Sequence, residues 1–387
     1  MSIKKKLLIK NVIIMGGGRW ARVITEVLSD ILEPFINISI YSPNNHSFMK
    51  EWIIKNNFKN QIKVIKSFPN SFPNSCAVVV ANAAKDHYNS SKIALRAGAD
   101  VLVEKPITLN YKQAIELDNL SKKQNKIICA SHVFLFASYI DNFSKFLQVN
   151  GKIEKMKITW EDSVIEKRHG EFKNFDAGLP IIADCLPHIF SIISKFIPID
   201  ISYNSIKLQI HHGGSKVKMK IESSGVPIEI YLIRNGSKRT RLVETLVEGK
   251  NNTLDFSTEP GVIKFENKKI SGDSNWALKS KPLKQLLNAF LLGVKSREFD
   301  DRLDFQFGIK ISELIEESLF IYKKLQLRWA INKIKNENHL NQDLAYAINE
   351  LNLCNELDIN HKTAYNKLSL ETKKSLLKKF NQLIVQK

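Results

Sequence analysis

Three groups in this 387-residue chain have the types and spacing that hydride and proton transfer require. In VLVEKPIT a strand-like apolar run ends in Glu104, Lys105 and Pro106. Lysine is normally a solvated surface residue. An ammonium at the end of a buried strand, where α/β sheets bind their ligands, is therefore a candidate for function. In FDAGLPIIADCLPHIFSII, Asp184 and His188 stand four residues apart, a spacing that puts both side chains on one face of a helix. Histidine titrates near neutrality and can take a hydroxyl proton while a hydride leaves. Lys105 would stabilise the developing alkoxide and help set the histidine's pKa, and Asp184 would orient the imidazole or bind a substrate hydroxyl. The competing reading of His188 is a histidine packed on an apolar helix.

The third group is NVIIMGGGRWARVITEVL. A β-branched run breaks at Gly16, Gly17 and Gly18, and Val23, Val27, Leu28 and Ile31 then share one helical face. INISIYS follows as a second strand, which makes a strand, glycine loop, helix, strand unit. Gly16 would allow the tight turn, Gly18 the close approach of backbone to a pyrophosphate, and Ala21 takes the third small position. The phosphates would rest on backbone N–H groups at the helix start. The end of the second strand, IYSPNNH, holds Ser42, Asn44 and Asn45 and no acid. A missing carboxylate removes the repulsion against a 2′-phosphate, and Arg19 could pair with it, so NADP is favoured over NAD. A solvated Arg19 is the alternative.

The elements that must position these groups fit a soluble two-domain protein. The opening stretch MSIKKKLLIK is read as the approach to a first strand, since Lys10 and Asn11 interrupt its apolar run, and the chain as cytoplasmic with no membrane span. Cys76, Cys129, Cys185 and Cys354 are far apart, which argues against disulfides and thiolate metal sites. His211 and His212 lack a third ligand at a useful spacing, so no metal is expected. The formal charge of +19 is spread through the chain without a zinc-finger, RNP or arginine-rich motif, so no nucleic-acid partner is expected. Either an AT-rich genome or attraction of anionic ligands would account for it.

GGGRWA, ANAAKDHYNSSKIALRAG and VLVEKPIT, in that order and spacing over the first 140 residues, resemble the glucose–fructose oxidoreductase / inositol dehydrogenase / MocA (Gfo/Idh/MocA) family of NAD(P)-dependent oxidoreductases. The resemblance implies an N-terminal Rossmann domain, a doubly wound parallel sheet, over residues 1–140. It implies an α+β substrate and oligomerisation domain with a large, mostly antiparallel open sheet over 141–335, leaving 336–387 as a helical C-terminal extension. It places Asn82 and His87 on the nicotinamide side. The expected cofactor contacts are then Gly16, Gly17, Gly18, Arg19, Trp20, Ser42, Asn82, His87, Glu104 and Lys105, and the catalytic groups Lys105, His188 and Asp184. Leu179, Pro180 and Leu186 depart from the glycines of the family pattern, which would narrow the pocket or shift the helix.

KIEKMKITWED, SIKLQIHH, SKVKMKIESS, VPIEIYLIRNG, RLVETLVEG, NTLDFST and GVIKFEN alternate as strands of an antiparallel sheet whose open face, in the family, builds a homodimer or homotetramer. Arg168, His169 and Lys173 could meet an anionic small-molecule substrate or belong to a solvated loop. In the extension, Leu376, Leu377, Phe380, Leu383 and Ile384 form a helical stripe. The resemblance implies hydride transfer between nicotinamide and a carbonyl or hydroxyl carbon of a sugar, amino sugar, nucleotide sugar or cyclitol. NADPH-dependent reduction of a C=N bond and a non-catalytic NAD(P)-binding scaffold are the alternatives.

Overall fold

The computed structural model describes residues 9–72, 76–165, 167–168, 171–172, 179–266, 268–336, 341–351 and 370–385. The chain forms two compact units, Met1–Ser138 with Asn275–Glu313, and Tyr139–Ser274 with Leu314–Lys387. Residues 275–313, which the sequence reading assigned to the second domain, thus count with the first unit. The extension beyond 335 counts with the second unit.

The first unit alternates strands and helices: β1 (Asn11–Met15), α1 (Arg19–Ile31), β2 (Asn37–Tyr41), α2 (His46–Lys55), β3 (Ile62–Ile65), β4 (Cys76–Val80), α3 (His87–Arg96), β5 (Asp100–Glu104), α4 (Tyr111–Lys123) and β6 (Ile128–Ser131). The strands form one parallel sheet in the order β3-β2-β1-β4-β5-β6. Successive side chains on β1 point to opposite faces. Val12 and Ile14 pack with Ala21, Ile24 and Leu28 of α1, and Ile13 and Met15 with Ala94, Leu95 and Leu117 of α3 and α4. Both faces are covered, so every residue of β4 and β5 is buried, as expected of a parallel sheet between two helical layers. The chain turns outward from β1 through β2 and β3, then resumes on the other side of β1 with β4. The carboxyl ends of β1 and β4 therefore flank the switch point where such sheets bind ligands.

The second unit begins with α5 (Ser138–Asn150), β7 (Ile153–Ser163), the short pair β8 (Lys167–Arg168) and β9 (Glu171–Phe172), and α6 (Ile181–Ile193). It continues through β10 (Lys207–His211), β11 (Lys216–Ser223), β12 (Val226–Gly236), β13 (Thr240–Val247), β14 (Lys250–Asp255), β15 (Val262–Phe265) and β16 (Lys268–Ser271). Eight of these strands form one sheet in the order β10-β11-β12-β7-β13-β14-β15-β16. Every neighbouring pair is antiparallel except β12 with β7, which is parallel. Alternation gives a buried face of Met156, Ile158, Trp160, Ile228, Ile230, Leu232 and Val243. The other face carries Lys157, which pairs with Glu244 at 2.6 Å, and Lys218 and Lys220, which flank Glu229 at 3.6 and 3.5 Å.

Helix α7 (Pro282–Ser296) returns to the first unit, where Leu286, Leu287 and Phe290 join the α1 side of the core. It is followed by α8 (Phe305–Asn336), α9 (Gln342–Glu350) and α10 (Leu370–Val385). In the second unit, Leu327, Ala330 and Ile334 of α8 pack with Leu344, Ala347 and Ile348 of α9 and with Leu376 and Phe380 of α10. The predicted stripe thus supplies two fully buried anchors, with Leu377 and Leu383 partly buried beside them. The Ile384 side chain and Cys354 lie outside the described residues. Among the described residues no helix is long and apolar enough to cross a membrane.

Candidate active site

The glycine loop leaves the carboxyl end of β1. Gly16 has φ +148°, and a Cβ there would come within 2.7 Å of the Ala81 carbonyl oxygen. Its N–H donates to Tyr41 O at 3.0 Å. A Cβ at Gly17 would collide with the Ser42 hydroxyl, which is buried at the end of β2, and Asn45 Nδ2 donates to Gly17 O at 3.2 Å. These two glycines are demanded by their protein neighbours. Gly18, the N-cap of α1, is different: its φ of −89° suits any residue and a Cβ would meet no atom within 4 Å. Among the described residues no side chain caps α1, and its first turn holds no acid. A small residue before an open helix N-terminus fits a pyrophosphate resting on backbone N–H groups.

Past β2, positive charge gathers. His46 has its pKa lowered by desolvation and then by Lys50 and Lys66.

Glu104 ends β5 buried, and burial raises its pKa against the opposing pull of its donors. Ser131 Oγ donates to Oε1 at 2.7 Å, the Lys105 N–H donates to Oε2 at 3.3 Å, and the Trp20 indole also donates to the carboxylate. Trp20 and Glu104 therefore meet each other and tie the start of α1 to the end of β5. Lys105 follows, half-buried, joined to Pro106 by a cis peptide bond. His87, at the start of α3, is also buried. Its Nδ1 lies 2.8 Å from Pro106 O and its Nε2 3.1 Å from Asn82 O. Burial lowers its pKa, outweighing the two carbonyls. His87 thus cross-links the loop after β4 to the loop carrying Lys105. Asn82 Nδ2 donates to Ser90 Oγ at 2.7 Å, while its buried Oδ1 has no donor among the described residues.

His132, one residue beyond β6, was not singled out from the sequence. It is 2% exposed, it meets Phe307 edge-on at 5.3 Å, and burial pushes its pKa down to about 4. A histidine whose native pKa lies below its unfolded value stabilises the fold above pH 6.5 and loses that contribution as pH falls toward 4. The shift corresponds to about 3 kcal/mol, of which about 2 kcal/mol should be gone by pH 5. Urea midpoints at pH 7.5 and 5 should therefore differ less in His132→Phe than in the parent protein; equal differences would refute this assignment.

In the second unit, α6 is buried at every position except Asp184 and His188. The spacing read from the sequence thus places a carboxylate and an imidazole on the one open face of an otherwise enclosed helix. Leu186, two positions from Asp184, turns into the core and is 0% exposed. Position i+2 lies across the helix, so Leu186 does not crowd the open face. Pro187 sits inside the helix.

Sequence reasoning missed the groups beneath this face. The His188 ring stacks on Trp160 of β7, with centroids 5.3 Å apart and 18° between planes. The Arg241 guanidinium lies 3.8 Å from the Trp160 centroid. Arg241 donates to Glu161 O at 2.6 Å, to Thr240 O at 2.8 Å, and to Asp162. Arg234 of β12 donates to Asp184 Oδ2 at 3.3 Å. Both arginines are 2% exposed.

Among the described residues, Asp162, Asp184 and Cys185 bring three ligand-type atoms within 4.8 Å. Each carboxylate already faces a buried guanidinium, and burial pushes the Cys185 thiol up to about 12. That donor set suits charge pairing better than a divalent cation. The Arg168 side chain, His169 and Lys173 lie outside the described residues.

A parallel six-stranded sheet with a glycine cradle at its switch point defines a dinucleotide-binding protein of the Rossmann class. Residues 10–132 match the Gfo/Idh/MocA model described as "Oxidoreductase family, NAD-binding Rossmann fold", so the likeness to that family lies in the part of the chain that carries the parallel sheet. Uncharacterized oxidoreductases of Synechocystis sp. and Escherichia coli are 30% identical over 90 residues and 37% identical over 60. These matches span 23% and 16% of this chain, and 24% and 17% of the two relatives.

The fold extends further than the sequence match. A UDP-N-acetylglucosamine 3-dehydrogenase from Acidithiobacillus ferrooxidans superposes with a TM-score of 0.64 at 12% identity, over 83% of this chain and 100% of that one. A 3-ketoreductase from Actinomadura kijaniata, in complex with TDP-benzene and NADP, gives 0.64 at 16% identity over 79% and 96%. Biliverdin reductase from Synechocystis sp., with biliverdin and NADP+, gives 0.60 at 14% identity over 81% and 99%.

Proposed function

We propose that this protein is an NADPH-preferring oxidoreductase that interconverts a hydroxyl and a carbonyl on a sugar or nucleotide sugar. The observation that carries the reading is the open face of α6, which exposes only an aspartate and a histidine. A bound nicotinamide would supply or accept the hydride. Gly16, Gly17 and Gly18 would hold the pyrophosphate at the N-terminus of α1, and Arg19, with Lys50 and Lys66 beyond the acid-free end of β2, would favour the 2′-phosphate. Lys105, held by Glu104 behind it and by the His87 tie, would offer an ammonium to an oxygen that gains negative charge. His188 would take or return the hydroxyl proton, while Asp184 orients the imidazole or a substrate hydroxyl. The structurally similar nucleotide-sugar enzymes support this substrate class. The placement of Leu186 in the core removes one of the departures on which the imine-reductase alternative rested.

Parallel calorimetric titration with NADPH and NADH tests the first half of the reading. NADPH should bind more tightly. Gly18→Val should weaken binding at least about 100-fold, since a side chain there would meet only the ligand. Its thermal midpoint should remain within about 2 °C of the parent. Tighter NADH binding would overturn the cofactor preference, and absence of binding by either would favour a scaffold role. Turnover with UDP- and TDP-linked hexoses then tests the second half.

A further inference from the structure

Asp184 is not held by its own helix alone. Arg234 Nη2 donates to Asp184 Oδ2 at 3.3 Å, and Nη1 donates to the Leu179 carbonyl at 3.0 Å, just ahead of Pro180, the N-cap of α6. One buried guanidinium therefore grips the first turn of α6 at two points. The same Nη1 lies 3.2 Å from Glu350 Oε1 and 3.4 Å from the Tyr346 hydroxyl. Glu350 closes α9, in the segment beyond residue 335 where the family resemblance ends.

That carboxylate is closely surrounded. Gln326 Nε2 donates to Oε2 at 3.0 Å, the Tyr322 hydroxyl donates to the same oxygen, and the Tyr346 hydroxyl donates to Oε1. Helix α9 is seated on the His212-Gly213-Gly214 turn, where Gly213 lies too close to the Asp343 backbone for a Cβ. His212 Nδ1 and Asp343 Oδ2 are 3.0 Å apart.

A guanidinium shared by two carboxylates differs electrostatically from a simple ion pair. Arg234 and Asp184 alone would be close to neutral. With Glu350 ionised, the group carries one excess negative charge beside the imidazole. We propose that the C-terminal segment completes the acid–base face of α6: Glu350, by sharing the Arg234 guanidinium, fixes the Asp184 carboxylate and sets the charge that His188 experiences. Glu350 is in this sense a positioning residue, acting through Arg234 and Asp184. Among the described residues, the charged groups that these contacts join to the His188 face are Asp184 on α6, Asp162 on β7, Arg234 on β12 and Arg241 on β13, with the Cys185 thiol beside them. The catalytic consequence rests on the proposed role of His188, but the arrangement itself can be tested without cofactor or substrate.

The test is NMR titration of the full chain labelled with 13Cε1-histidine, with the His188 signal assigned by its loss in His188→Asn. Glu350→Gln keeps the shape and removes the charge. It should lower the His188 midpoint by about half a pH unit or more, with His46 of the first unit as an unmoved reference. Tyr346→Phe removes a hydroxyl between Arg234 and Glu350 on a partly buried side chain and should displace the midpoint by about 0.2 unit or more. If Glu350→Gln does not fold, Tyr346→Phe alone decides. A His188 midpoint within about 0.1 unit of the parent in every variant that folds would overturn the proposal. Since neither NADPH nor substrate enters the measurement, its failure is separable from failure of the oxidoreductase reading.

Discussion

His188→Asn should lower kcat about 1000-fold on the substrate that the parent protein turns over, while its Kd for NADPH stays within about twofold. The two halves of this expectation have separate structural origins. The proposed cofactor cradle is built from β1, α1, β2, β4 and β5 of the first unit, whereas α6 belongs to the second. The imidazole lies on the open face of an otherwise enclosed helix, stacked on Trp160, so asparagine loses the titrating group without opening a cavity in the core. The fall should appear in kcat and kcat/KM alike, because a proton acceptor acts in the transition state more than in substrate binding. Near-parent turnover would return His188 to the status of a packed histidine. A loss of NADPH affinity would instead point to damage beyond the second unit.

The Rossmann unit was legible because its signals are local. β-branched runs, a glycine break and a helical stripe fall within about 30 residues, the scale of one strand–helix–strand unit. The pairing of Asp184 with His188 was legible for the same reason, since both lie within one helical turn. The support beneath them was not. Arg234 and Glu350 are 116 positions apart in the chain, and no window joins them.

One signal was present and unused. Alternation on β12 puts Arg234 in register with Ile228, Ile230 and Leu232, and on β13 it puts Arg241 in register with Val243. An arginine on the buried side of a strand must find partners there, which makes it a pointer to a site. Read only as part of a net charge of +19, it carries no position. His87 is the converse case: the family pattern puts it at the nicotinamide side, while both ring nitrogens face backbone carbonyls. The parallel pairing of β7 with β12 depends on strand order, which alternation does not encode.

Arg234→Met should destabilise the second unit by about 3–5 kcal/mol at pH 8, read as a shift in its urea midpoint. Methionine fills much of the same volume, so the loss is mainly electrostatic. Glu350 is 4% exposed, and its pKa stands above the usual carboxylate value because burial outweighs the pull of Arg234, Tyr322, Tyr346 and Gln326. Removing the guanidinium removes the largest of those opposing influences and raises the pKa further. A carboxyl with a native pKa above its unfolded value costs stability at higher pH, and the cost fades as pH falls through the native pKa to the unfolded one. The deficit of Arg234→Met should therefore shrink between pH 8 and pH 5, opposite to the acid loss expected from His132. The double variant Arg234→Met/Glu350→Leu should recover at least about half of the deficit, since an apolar pair replaces a stranded charge. Asp184, which keeps 23% of its side-chain surface exposed, can still be hydrated. A single variant as stable as the parent at pH 8, or a deficit independent of pH, would show that Glu350 is not ionised in the fold. The excess negative charge assigned to the α6 face would then be absent.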